Sequence, residues 1–244
     1  MKIVATIEAR MNSSRLPGKV LLKAKDKSML EILIERLEQV KSIDSIIVAT
    51  TINPKDNEIA NLCNKIGQKF FRGSEDDVMG RVIGAAKSLN ADLIVEITAD
   101  CPIIDPNIIE QIINIYKANS VDYVGNAKVR SYPDGMDTQV FSLKILESSY
   151  QMTSNKEDRE HVTLHIRNNP NIFTQINVVA SPDIYYPELG LTLDEWDDYL
   201  LIKKIIENFY DTNKFFKCSE IINFLNNNQY LYSLNKHVKR KKLN

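Results

Sequence analysis

Ile3-Val4-Ala5-Thr6-Ile7, running on into Ala9-Arg10-Met11-Asn12-Ser13-Ser14-Arg15-Leu16-Pro17-Gly18-Lys19, is the stretch that decides the fold. The first five residues are apolar or β-branched without alternation, the pattern of a strand buried on both faces. The loop behind it carries three cations, Arg10, Arg15 and Lys19, among small and hydroxyl residues. Open α/β sheets bind ligands beyond the carboxyl ends of their strands. A polyphosphate there needs exposed amide donors and forked guanidinium groups, and this loop has the composition to supply both. It is not a Walker A loop, because Gly18-Lys19 is followed by Val20 and the earlier glycine is missing; nor is it the GxGxxG fingerprint.

Outward from this point, strand and helix patterns alternate. Leu30, Leu33, Leu37 and Val40 recur at helical spacing, and Ile46-Ile47-Val48-Ala49-Thr50 reads as a second buried strand. Helix is expected over 56–66, a short strand at Lys69-Phe70-Phe71, and helix again over 76–89. Leu93-Ile94-Val95-Glu96-Ile97 is the next strong strand, followed by a helix over 106–118 opened by Asp105-Pro106. This order predicts an α/β fold with a mostly parallel sheet covered by helices on both faces.

Beyond 121–124 the pattern loosens. Tyr132-Pro133-Asp134-Gly135 is a turn signal, with strands expected at 137–142 and 172–179 and helices at 143–152 and 157–168. Residues 125–185 read as an excursion for acceptor binding or dimerisation. Leu191-Thr192-Leu193 reads as a return strand, with helices near 195–209 and 218–227. The chain, 1–244, is expected to form a single domain closed by a basic tail at 236–244. Within that tail, Lys239-Arg240-Lys241-Lys242 reads as a solvated run.

Composition narrows the function. Of 244 residues 43% are hydrophobic, and 31 Lys and Arg against 32 Asp and Glu leave a net charge of −1, which argues against a globally basic nucleic-acid binder. Eight glycines and eight prolines exclude a collagen-like or linker-dominated chain. Cys63, Cys101 and Cys218 have no CxxC spacing and suit neither a disulfide framework nor a zinc knuckle. No run approaches the ~20 apolar residues of a membrane span. A cytoplasmic protein is expected.

Asp100 follows the strand at 93–97, and Asp194 follows 191–193. Carboxylates at two strand ends could hold one Mg²⁺ against a triphosphate, since hard cations take oxygen ligands and retain waters. Each could equally cap the helix that follows. His161 and His165 stand at i and i+4, but Val162 replaces the glutamate of a zinc-protease motif. Cys101 and Trp196 read as packing residues.

The segments 8–21, 72–78, 97–102, 158–163 and 191–194, in that order, resemble the SpsF group of spore-coat polysaccharide biosynthesis. That group is related to the CMP-KDO and CMP-sialate synthetases. The resemblance implies a Rossmann-like cytidylyltransferase using CTP and Mg²⁺, with Arg15, Lys19, Asp100 and Asp194 catalytic and the two aspartates holding the metal. It implies nucleotide contacts from Ala9, Arg10, Asn12, Ser13, Arg15, Lys19, Arg72, Ser74, Asp77 and Arg81. Acceptor contacts would come from Gly135, Asp137, Gln139, Arg159, Glu160 and His161. The partners implied are CTP and a small anionic sugar-type acceptor, in a homodimer.

The chain departs from many relatives at four positions. It has Glu8 where they carry Gln, Asn12 for Gly, Gln139 for Glu, and Gly190 for a basic residue. Two rival readings are a nucleotide-sugar glycosyltransferase and a non-catalytic nucleotide-binding subunit of polysaccharide assembly. The first would carry an Asp-x-Asp pair where this chain reads Ala99-Asp100-Cys101.

Overall fold

The computed structural model describes residues 1–240. Its first half runs β1 (Ile3–Glu8), a small hairpin of β2 (Lys23–Ala24) and β3 (Lys27–Ser28), α1 (Met29–Leu37), β4 (Ser45–Thr51), α2 (Asn57–Ile66) and β5 (Phe70–Gly73). It continues through α3 (Val78–Ser88), β6 (Leu93–Thr98) and α4 (Pro106–Ala118). The second half comprises β7 (Tyr123–Gly125), β8 (Gln139–Ser142), α5 (Leu143–Met152), α6 (Lys156–Glu160), α7 (Leu164–Asn168) and β9 (Gln175–Asn177). Then follow α8 (Trp196–Phe209), α9 (Cys218–Asn226) and α10 (Gln229–Ser233). None of these helices is long and apolar enough to cross a membrane.

Seven strands form one sheet in the order β5-β4-β1-β6-β8-β7-β9. β1, β4, β5 and β6 run parallel, whereas β8 is antiparallel to both β6 and β7. β9 lies parallel to β7 and ends the sheet. β1 is hydrogen-bonded on both edges and buried on both faces, which is why its sequence is continuously apolar. Ile3, Ala5 and Ile7 enter one core layer with α1, α4, α8 and α9, and Val4 enters the other with α3 and α5. Residues 125–185 add β8 and β9 to the sheet and place α5, α6 and α7 between them.

The loop behind β6 is held from below by Arg36, which is 1% exposed. Its guanidinium donates to the carbonyls of Ile104 (2.7 Å), Lys214 (3.2 Å) and Phe216 (2.6 Å). Asp105 caps α4 through the Asn107 amide and accepts the Cys218 amide, both at 2.8 Å. One loop is thereby tied to α1, to α4 and to the start of α9.

Three expectations are corrected. Leu191-Thr192-Leu193 is not a strand: Leu191 donates to the Asp134 carbonyl (2.6 Å) and Leu193 to the Asp100 carbonyl (2.8 Å), so the segment stitches two loops together. An isolated bridge between Asp134 and Gly190 is its sheet-like pairing. The helix expected over 157–168 breaks after Glu160, where His161 leaves helical geometry (φ −109°, ψ 58°), and resumes as α7. In the C-terminal run Lys239 is exposed, but Arg240 is not solvated: it is 20% exposed and bonded to Asp198 and the Thr192 hydroxyl. Lys241 and Lys242 lie outside the described residues.

Replacing Arg36 by methionine leaves buried carbonyls unpaired, each costing about 1–3 kcal/mol. Arg36→Met should therefore lower the melting temperature by roughly 5–10 °C in calorimetry; an unchanged melting temperature would show that the clamp contributes nothing.

Candidate active site

The loop after β1 is anchored at its start by the Ala9 amide on the Ala49 carbonyl (3.3 Å) and the Met11 amide on Asp56 (2.6 Å). It closes on itself where the Gly18 amide donates to the Met11 carbonyl (2.9 Å), a turn that needs the left-handed φ of +72° at Gly18. Lys19 follows directly. Its Nζ lies 3.0 Å from Asp100 Oδ2 and 3.1 Å from Asp194 Oδ1. Arg15 reaches the same Asp194 oxygen at 3.0 Å and Glu195 at 3.6 Å. Asp194 is carried to this point by the bond from Leu193 to the Asp100 carbonyl.

The side chains of Lys19, Asp194 and Asp100 are 12%, 18% and 27% exposed, so their charges act through a poorly screened medium. Burial alone would raise the Asp100 carboxyl, but the Lys19 ammonium and the Thr98 hydroxyl hold it below the ordinary range. Burial likewise opposes the Lys19 charge, and the two aspartates overcome it and raise the ammonium. Both groups are therefore ionised at neutral pH. The donor set of two carboxylates suits a hard divalent cation. Among the described residues no three His, Cys, Asp or Glu side chains gather as a metal cluster, so such a cation would take its remaining ligands from water or substrate oxygens.

The other expected residues are placed as follows. Arg10 pairs with Glu160 at 3.7 Å, joining the first loop to α6. Asn12 donates to Glu75 (2.9 Å), and the Ser13 hydroxyl accepts from the Leu16 amide. Arg72 donates to the carbonyls of Thr51 and Asn53, and Arg81 to those of Ala49 and Ser74. Both therefore brace the loops behind β4 and β5. Ser74 accepts the Asp77 amide; Asp77 caps α3 and accepts from the Tyr150 hydroxyl (2.8 Å). Arg159 stacks on the Tyr150 ring, donates to the Tyr150 and Thr153 carbonyls, and approaches Asp77 at 3.7 Å. Gly135 (φ +105°) lies against the Leu191 backbone, where a Cβ would meet a carbonyl at 2.6 Å. Asp137 is paired with Arg130 at 2.6 Å, and burial nevertheless pushes it up to about 6. The His161 amide donates to the Glu157 carbonyl.

The expected Gln139 lies here, together with Arg167, Asn177 and Asp198, which the sequence reading passed over. Gln139 donates to Glu96 (2.5 Å) and accepts from Tyr123 (2.7 Å) and Thr163 (2.5 Å). Among the described residues, His165 Nε2, Arg167 Nε and Asn177 Nδ2 are buried without a hydrogen-bond partner. Arg167 is close enough for its charge to stabilise ionised Glu96 and Asp137. Asp198, fully buried, accepts the Asp194 amide (3.1 Å) and the Glu195 amide (2.9 Å). An acidic residue in the first turn of a helix signals such a cap. No local signal marks Arg167 or Arg240, which meet their partners through the fold.

The cytidylyltransferase family model matches residues 4–233. The chain is 38% identical over 242 residues to an uncharacterized protein of Methanocaldococcus jannaschii, covering 99% of this chain and 97% of that one. It is 30% identical over 232 residues to the spore coat polysaccharide biosynthesis protein SpsF of Bacillus subtilis, covering 93% and 95%. The solved structure of a cytidylyltransferase from Leptospira borgpetersenii superposes with a TM-score of 0.90 at 29% identity, covering the whole of both chains.

One further feature of the site is titratable. Burial raises the Glu8 carboxyl well above the ordinary range, and the neighbouring Glu96, itself raised by burial, pushes it further. Groups whose pKa is raised by folding favour the folded state at low pH, and that advantage is lost as pH climbs through the folded values. The melting temperature should fall as pH climbs from the ordinary carboxylate range through about 7, the value to which Glu96 is raised, and Glu8→Gln should flatten that fall by about half or more. An identical slope in the variant would show that the pair does not share a proton.

Proposed function

The chain belongs to the cytidylyltransferase family, and on that premise we propose that it transfers CMP from CTP to an anionic sugar-type acceptor, releasing pyrophosphate, in surface polysaccharide or glycoconjugate assembly. The observation that carries this reading is the convergence of Lys19 and Arg15 on Asp100 and Asp194. Two cations and two carboxylates that neutralise one another in the free chain are poised for an exchange of partners. Asp100 and Asp194 would hold Mg²⁺, which supplies charge neutralisation at the phosphate oxygens when bound. Lys19 and Arg15 then turn to the triphosphate.

The acceptor oxygen attacks the α-phosphorus in line, forming the new P–O bond as the bond to the β-phosphate oxygen breaks. Charge grows on the departing pyrophosphate, and Lys19 and Arg15 are the groups that meet it. Nothing covalent is asked of the protein. Orientation of the two reactants can supply roughly 7–11 kcal/mol of the barrier reduction. The nucleotide side is assigned to Ala9, Arg10, Asn12 and Ser13, within loops braced by Arg72, Ser74, Asp77 and Arg81.

The acceptor side is assigned to the region of Gly135, Asp137, Gln139, Arg159, Glu160 and His161. Here the unpartnered donors of Arg167, His165 and Asn177 favour an anion bearing several oxygens. Spore coat polysaccharide biosynthesis, named for the Bacillus subtilis relative, is a setting that consumes activated sugars.

Incubation with each of the four nucleoside triphosphates and a panel of anionic sugars, followed by pyrophosphate detection, should show release that depends on CTP and on Mg²⁺. Pyrophosphate from none of them would overturn the proposal; release of a nucleoside diphosphate from a nucleotide sugar would point to a glycosyltransferase. Asp100→Asn and Asp194→Asn should each lower turnover by about a thousandfold or more while the far-ultraviolet circular dichroism is kept. Either variant retaining near-normal turnover in Mg²⁺ would refute the metal assignment.

A further inference from the structure

Past α10 the chain turns back on the site. Asn235, 4% exposed, donates to the Gly190 carbonyl (2.9 Å) and to Asp198 (2.7 Å). His237 lies 3.3 Å from Asp197, and the Lys239 carbonyl accepts from Arg15 (3.2 Å). These contacts set the strap 235–240 across the loop that carries Asp194, and they deliver Arg240. Its guanidinium donates to Asp198 and to the Thr192 hydroxyl, each at 2.7 Å. It also lies 3.6 Å from Asp194 Oδ2 and 3.6 Å from Asp134. The space it fills exists because residue 190 has no side chain: a Cβ there would lie 1.9 Å from the guanidinium.

Asp194 is thus gripped from two sides, Oδ1 by Lys19 and Arg15 and Oδ2 by Arg240. We propose that Arg240 is a positioning residue of the active site, the resident cation that ties Asp194 to Asp198 and Asp134 when Lys19 and Arg15 leave Asp194 for a triphosphate. The inference rests on the triphosphate reading above. Asp198 is fully buried, and Asp134 and Arg240 are each 20% exposed, so Asp194 and Asp198 repel strongly without Arg240, while Asp134 keeps Arg130 at 3.5 Å. Arg15 and Lys19 are mobilised by the ligand; Arg240 stays bonded to Asp198 and the Thr192 hydroxyl, and it approaches Asp194 on the oxygen opposite those two cations. With Arg240 removed, buried Asp198 loses its cation, and Asp194 is left with Lys19 and Arg15, which it must then give up to admit the triphosphate.

The test uses the full chain and calorimetric titration with CTP at saturating MgCl₂. Arg240→Ala should weaken CTP binding by about tenfold or more. Because the Cα–Cβ direction at residue 190 points at the same spot, Gly190→Lys in the Arg240→Ala background should restore affinity to within about threefold. Gly190→Arg serves as a second rescue variant should the lysine form fail to fold. CTP affinity within about twofold of the unsubstituted protein in Arg240→Ala would overturn the inference, as would a folded rescue variant that restores nothing.

If the unsubstituted protein binds no CTP, the triphosphate reading falls. The pairing itself is then read from melting temperatures of Arg240→Ala, Asp194→Asn and the double variant. Non-additive shifts support it and additive shifts overturn it.

Discussion

A single ammonium group, Lys19 Nζ, stands between two carboxylates that the chain brings from different loops, at 3.0 Å from Asp100 and 3.1 Å from Asp194. The rest of the site is arranged to make that contact possible. The Gly18 turn aims Lys19, Arg36 and Asp105 hold the loop after β6, and the bond from Leu193 to the Asp100 carbonyl sets the second aspartate beside the first. Taking these charges out of water is costly, and the interaction persists because Lys19 and Arg15 together match the two carboxylates. Matching of this kind is readily exchanged for an equivalent set. A triphosphate with its divalent cation offers both signs at once, so the free site is balanced and receptive together.

Local pattern carried most of the fold. The largely apolar, β-branched runs of β1, β4 and β6, without polar alternation, state that these strands are buried on both faces, and Asp105-Pro106 marks where α4 begins. Arg15, Lys19, Asp100 and Asp194 were legible as a set because each follows a strand or strand-like run, where ligands of such sheets gather. What the reading missed is tertiary. Leu191 to Leu193 has the composition of a strand, yet its backbone partners are the carbonyls of Asp134 and Asp100. Arg72, Arg81 and Arg159 were legible as charges, but nothing in their neighbourhood reveals that backbone carbonyls take up their donors. Arg240 is the extreme case: it reads as one of four basic residues in a tail, and the glycine that admits it lies fifty positions earlier.

The two faces of the site differ in character. Around Lys19 the charges are ionised and paired. Around Glu8 and Glu96 burial raises both carboxyls against the opposing charges of Arg81 and Arg167, and Gln139, which accepts from Tyr123 and Thr163, donates to Glu96. The resemblance to the SpsF group implies a glutamine where this chain has Glu8. A protonated carboxyl offers one O–H donor beside an acceptor where an amide offers two N–H donors, so it resembles the amide in shape and differs from it chiefly in responding to pH. The unpartnered donors of Arg167, His165 and Asn177 give the second half of the chain its own polar interior.

The central claim is that Lys19 and Arg15 trade Asp100 and Asp194 for a triphosphate while a divalent cation takes their place. Anomalous diffraction from crystals grown with CTP and MnCl₂ tests it directly. The account predicts a manganese peak between the Asp100 and Asp194 carboxylates, with Lys19 and Arg15 moved onto phosphate oxygens. A manganese peak elsewhere, with Lys19 still lodged between the two aspartates and CTP bound at another surface, would contradict it.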